Sequence, residues 1–250
     1  MKPTRKSKDD GKAGRRAPLL ALGAHPDDIE FGCGGVIASE TAAGRAAHFV
    51  ICSRGEAASH GTPAQRQKEA QASAKILGAT LEFIELGGDC HFETSSENAI
   101  TLAGIIRRHR PTIILAPSPV ANQHPDHSRL GCLARDAARL ARYGGLGEMK
   151  DVPAHAIEQL LFYAITVDAE PKDISPILFD VSDGKTVDTW RAAMKAHASQ
   201  SRTRDYVQLQ LTRARLNGLR AGVDHAIALF PSDPVVVDSL SQITRAARRF

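Results

Sequence analysis

Two short stretches carry residue types that could do chemistry together. "AHPDD" at 24–28 offers His25, Asp27 and Asp28, and "NQHPDH" at 122–127 offers His124, Asp126 and His127. Three ligands drawn from His and Asp, with a fourth position left to water, define a catalytic rather than a structural zinc site. His25, one Asp of the adjacent pair and one His of the second cluster would supply such a set. A cation there lowers the pKa of bound water towards ~7 and polarises a carbonyl. Hydrolysis also needs a base that is not consumed as a ligand, and two neighbouring carboxylates can divide those jobs. His124 and His127 are three apart, so both can face one site from the first turn of a helix. If His127 binds metal, His124 is free to stabilise an oxyanion as a cation. Asp126 could orient that ring, as carboxylates behind histidines do.

Strand-like and helix-like segments alternate around these clusters. "PLLALGA" (18–24) is a continuous apolar run ended by Pro and Asp, the pattern of a strand buried on both faces. Further strands are expected at 47–53, 81–86, 111–118, 157–165 and 176–183, with a terminal one at "PVVVDSL" (234–240). Helices are expected at 34–46, 63–79, 95–110 and 127–143, followed by long ones at 185–200 and 203–230. Repeated β–α–β units imply an α/β fold: a Rossmann-like three-layer sandwich with a mostly parallel central sheet and a helical C-terminal subregion. Ligands of such sheets sit beyond the carboxyl ends of the strands. "HPDD" follows the first strand and "NQHPDH" the fourth, so both clusters arrive on one edge.

The 250 residues allow one large domain, read as 18–250 behind a disordered basic tail at 1–17. Seven of the 32 Lys and Arg lie in that tail against Asp9 and Asp10, so the formal charge of +4 leaves residues 18–250 near −1. A basic surface for nucleic acid is therefore not expected. No apolar run approaches the ~18 residues of a membrane span, and the basic start has no apolar segment behind it to make a secretory signal. The four cysteines are scattered without a C-x-x-C pair, which favours reduced, buried thiols and a cytoplasmic setting.

Here the residues carry a resemblance. "AHPDD" after a first strand, then "IEFGCGG", "SRGEAASHGTP", "RQKEA", "LGA" and "HPDH" after the fourth strand resemble the PIG-L/LmbE-like zinc-dependent N-deacetylase family. "MKAHASQ" at 194–200 is similar to a further family segment, so the match runs over roughly 18–230. The resemblance implies zinc on His25, Asp28 and His127, Asp27 as general base, His124 on the oxyanion and Asp126 orienting it. It also implies a small-molecule N-acetylglucosamine-type substrate and leaves a homo-oligomer open. One departure stands out: "HAIALF" puts Ile227 where family members often have a Glu in an Ala-Glu-x-Phe-like stretch.

Other readings compete. Taken singly, Asp and His at strand-to-helix turns cap helices. "GCGG" lacks the full dinucleotide-binding glycine pattern. Arg54, Glu56 and Arg66 are candidate substrate contacts or solvated charges. His60 reads as surface, His197 and Gln200 as packing, and Trp190 as core. An amidase acting on a thiol-conjugate glycoside would use the same machinery. Two His and a carboxylate also make the facial triad of non-haem iron oxygenases, and a non-catalytic Rossmann-like binding module would need no metal.

Overall fold

The computed structural model describes residues 16–201, 204–243 and 245–247, so most of the expected tail lies outside them. Seven strands form one sheet: β1 (Leu19–Gly23), β2 (Ala47–Ile51), β3 (Thr80–Phe83), β4 (Ile113–Pro117), β5 (Gln159–Tyr163), β6 (Ile177–Asp180) and β7 (Ala226–Pro231). Their order is β3-β2-β1-β4-β5-β7-β6. The first five run parallel, whereas β7 is antiparallel to both β5 and β6.

Burial on both faces explains the unbroken apolar run of β1. Leu19 and Ala21 point into a core shared with α1 (Asp28–Ala42), α2 (Pro63–Ile76), α5 (Gly184–Ala196) and α6 (Tyr206–Ala221). Leu20 and Leu22 point into a second core under α3 (Ser96–His109) and α4 (Pro125–Ala141). The expected three-layer architecture is therefore present. After β1 the chain steps to β2 and β3 on one side, and then returns to place β4 on the other. That reversal opens a crevice beyond the carboxyl ends of β1 and β4.

Two C-terminal expectations are corrected. The helix expected to run to 230 stops at Ala221, where Gly222 adopts a left-handed φ of 68°. A residue without Cβ accepts that conformation and ends a helix; the following "AIALFP" is β7. Residues 234–240 form no strand, and the edge beyond β7 is taken by β6. Their valines stay in solvent, Val236 at 88% exposure. At the other end of the chain, α1 begins at Asp28, six residues before the expected start.

Gly32 and Gly35 let α1 lie close to its neighbours. A Cβ on Gly32 would overlap the ring of buried Tyr163, whose hydroxyl donates to Leu22 O at 2.7 Å. In an open helix Gly→Ala gains about 1 kcal/mol. Here overpacking dominates, and Gly32→Ala is expected to cost about 1–3 kcal/mol. Denaturant unfolding checks this: an unchanged or raised midpoint would mean the ring has room to shift.

Candidate metal centre and its cavity

The β1–α1 turn is built to present carboxylates. Asp27 is the N-cap of α1 but makes no side-chain cap hydrogen bond, and its φ is 122°. A non-glycine residue there is strained, a cost that clusters at functional sites. The capping explanation therefore fails for Asp27, whose carboxylate is left for the cavity. Arg66, buried in α2, holds the turn from behind: Nη2 donates to Pro26 O at 2.8 Å and to Asp27 Oδ2 at 3.4 Å, and Nη1 donates to Gly55 O at 3.4 Å.

His25, Asp28 and His127 converge, although the last lies over a hundred positions beyond the first. His25 Nδ1 is 3.2 Å from His127 Nε2 and 3.5 Å from Asp28 Oδ2, and Asp28 Oδ1 is 3.0 Å from His127 Nε2. Donors about 2.1 Å from a tetrahedral ion lie about 3.4 Å apart, and each of these gaps is near that value, with the two oxygens of Asp28 facing different rings. His124 brings a third ring nitrogen within 4.8 Å of the other two histidines.

Electrostatics agree with geometry. Burial opposes charge on His25, yet Asp28, Asp126 and Asp89 outweigh it and hold the imidazolium well above the usual histidine range. Burial likewise opposes charge on Asp28, and His127 and His25 outweigh it and keep the carboxyl well below its normal value. A pocket that retains a proton so firmly suits a divalent cation, whose charge replaces it. The donor set fits the metal.

Behind the donors, His25 Nε2 faces Asp89 Oδ1 at 3.0 Å and Asp126 Oδ2 at 3.3 Å. Carboxylates in this position fix the tautomer of a metal-binding histidine. The carboxylate of Asp126 thus faces His25 rather than His124 in this structure. Its carboxylate contacts His25 and the Cys90 N–H (2.6 Å), and only its backbone N–H reaches His124, at Nδ1 and 3.3 Å. Because that Nδ1 accepts, the neutral ring carries its proton on Nε2. Burial first, and then the His25 and His127 charges, push the His124 pKa down. In this structure His124 thus presents Nε2 towards the cavity, with its pKa pushed down.

These groups open into a cavity of about 360 Å³, walled by Phe31, Ile165 and Tyr206 and edged by Gln123, Thr166 and Gln200. Of the three candidate substrate contacts, Arg66 lines it. Arg54 pairs instead with Glu85, and exposed Glu56 accepts the Arg54 N–H at 3.1 Å. Ile227 is buried in β7 away from this cavity.

Asp89 escaped the sequence reading. Its signal was faint: a lone Asp after two glycines at the carboxyl end of β3, the same edge. Cys90 was expected to be buried and is exposed, unlike Cys33 and Cys52. His197, expected to pack, does so with a charge partner: its Nε2 lies 3.2 Å from Glu30 Oε1, both side chains being buried. Trp190 is core as expected, and its Nε1 donates to Glu30 O at 2.7 Å.

An α/β sandwich with a two-histidine, one-aspartate cluster at its strand-order reversal is the class these observations define. A family profile for PIG-L, described as GlcNAc-PI de-N-acetylase, matches residues 20–138. A conserved protein from Thermus thermophilus is 32% identical, with a TM-score of 0.78 over 92% of this chain and 100% of that one. The chain belongs to the PIG-L family. Diacetylchitobiose deacetylase of Thermococcus kodakarensis is 29% identical over 161 residues, 58% of this chain and 59% of that one. The 4-oxalmesaconate hydratase of Pseudomonas putida is 33% identical over 138 residues, 50% and 53% of the two chains. The matched stretches thus span less than two thirds of these two curated relatives.

Metal content tests the donor set. His127→Ala is expected to lose tightly bound divalent metal, its affinity falling by more than the about 10–100-fold that even an outer partner's loss costs. Asp27→Asn should keep one equivalent. Normal metal content in the His127 variant would refute that residue's role.

Proposed function

We propose that the chain is a zinc-dependent N-deacetylase that hydrolyses the N-acetyl group of an N-acetylglucosamine-type small molecule. The observation that carries this reading is Asp27: a carboxylate excluded from capping, held by Arg66 and set beside three converged metal donors. The family match and the diacetylchitobiose deacetylase relative support the acetamide substrate. The cavity's apolar wall suits the face of a sugar ring, and its amide and hydroxyl edge suits sugar hydroxyls.

His25, Asp28 and His127 would hold the ion, which when bound lowers the pKa of water and polarises the amide carbonyl. Asp27 takes a proton from the attacking water as the new C–O bond forms at the acyl carbon. His124 Nε2–H donates to the developing oxyanion, a contact worth most where water is excluded. Asp27 then returns its proton to the amine nitrogen as the C–N bond breaks, releasing acetate and a free amine. Asp126 and Asp89 keep the His25 ring in place throughout.

We read residues 18–250 as one domain, with strands of a single sheet drawn from Leu19 to Pro231. The unpaired cysteines fit a cytoplasmic setting. Among the described residues, no helix is long and apolar enough to cross a membrane.

The hydratase relative favours a second reading, water addition to a carboxylate-bearing substrate. Such a substrate calls for several free cations. Arg66 is the one Lys or Arg lining the cavity among the described residues, and it is already bound to Pro26, Gly55 and Asp27. The thiol-conjugate amidase would share the site. The sandwich differs from the barrel scaffolds usual for iron triads.

Acetate release from a panel of N-acetylglucosaminides, with and without chelator, tests the proposal. Release that chelator does not stop would refute the metal, and none at all would refute the deacetylase. Asp27→Asn should lower the rate by about 10²–10⁴-fold with metal retained.

Burial raises the Asp27 pKa to about 6, against the pull of Arg66. The base works ionised, so the rate is expected to rise with pH through about 6 and to fall below it. Arg66→Gln removes a cation that favours the carboxylate, and its acid limb should move to higher pH. A limb that stayed in place would separate Asp27 from the profile.

A further inference from the structure

Beside the first donor set, a second group of metal-binding atoms stands at the mouth of the cavity. Cys90 Sγ lies 3.4 Å from Asp89 Oδ1 and 3.8 Å from His124 Nε2, and one donor from each residue falls within 4.8 Å of the others. Ligands of a tetrahedral ion with one thiolate are about 3.5 Å apart, and the two gaps from sulfur are close to that. We propose that Asp89, Cys90 and His124 form a second site, for a soft divalent cation such as Zn²⁺ or Cd²⁺, whose occupation inhibits the centre below it.

Three features of the chain support this. The loop is fixed: Cys90 has a left-handed φ of 69°, and its N–H donates to Asp126 Oδ2 at 2.6 Å, which pins the thiol over the cavity. Sulfur makes the site selective, because thiolate prefers soft ions to the hard ones that oxygen donors take. Cys90 is also exposed, so an ion arrives directly from solvent.

Binding replaces a proton. In the ion-free state the thiol donates to Asp89; as the sulfur–metal bond forms, that proton leaves to solvent. The His124 ring proton moves from Nε2 to Nδ1 and gives up only the long 3.3 Å bond from the Asp126 N–H. Asp89 turns to the new ion while Asp126 Oδ2, 3.3 Å from His25 Nε2, still supports the first site. The two sites thus share a border but no donor, and both can fill.

Inhibition follows because an ion on Nε2 occupies the atom that would face the oxyanion. This half rests on the role proposed above for His124, whereas the binding half does not. The expected behaviour is biphasic: one equivalent of zinc supports turnover and excess zinc suppresses it.

The test uses the full chain loaded with one equivalent of Zn²⁺ and titrated with Cd²⁺, read by thiolate-to-metal charge-transfer absorption. Wild type is expected to gain the band with one further equivalent. Cys90→Ser should keep its first equivalent, which also reports that it is folded, and should gain no band. Excess Zn²⁺ should inhibit wild type, and Cys90→Ser should keep the basal rate while needing at least about tenfold more zinc for the same inhibition. No band in wild type, or an undiminished band in Cys90→Ser, overturns the site. A band without zinc inhibition overturns the inhibitory role. Should the band behave as expected in a protein that releases no acetate from any substrate, the deacetylase reading falls and the second site stands.

Discussion

Everything at this site depends on how His25 is buried. One ring nitrogen faces Asp28 and His127, while the other faces Asp89 and Asp126. Carboxylates on both sides of one imidazole create a local excess of negative charge in a place shielded from water, where charge interactions are least screened. A positive partner is then a structural requirement. Removing ionised groups from water is costly unless the charges are compensated, and under the proposed function a divalent ion among these donors would compensate them and leave Asp27 outside the coordination set. On that proposal, ligand and base stand a single step apart along the chain.

Sheet topology makes that separation workable. Because β1 and β4 are neighbours that feed loops on the same edge, residues a hundred positions apart meet without a long excursion. Each loop leads straight into a helix, α1 or α4, whose first turn carries donors. Rigid elements therefore hold the chemistry, and short turns supply its direction. Asp27 bears the strain of this arrangement in its φ, and Arg66 supplies the contacts that offset it.

The motifs were legible because their residues are contiguous and sit at strand ends, where a parallel sheet exposes its ligands. Asp89 was not, since a single Asp in a glycine turn looks the same whether it faces solvent or supports a histidine. Treating the four cysteines alike hid Cys90, which differs from Cys33 and Cys52 by location rather than by sequence context. The placing of Asp126 was hidden for a related reason: spacing puts it beside His124, but only the folded loops show that its carboxylate turns to His25. At the C-terminus, apolar β-branched residues at 234–240 had strand character but join neither edge of the sheet. "AIALFP" was absorbed into a helix although Gly222 already marked its end.

The strap formed by α5 has a consequence for how the molecule is made. Glu30, in the first turn of α1, meets its partner His197 and the Trp190 indole from a helix some 160 residues later. The ribosome therefore releases both histidine-bearing loops long before it releases the helix that packs on the first turn of α1. Until α5 docks, Glu30 lacks the His197 partner it has in the folded chain, although Arg66 from α2 already reaches the turn that bears Asp27. The contacts around Glu30 are thus completed only by the second half of the chain.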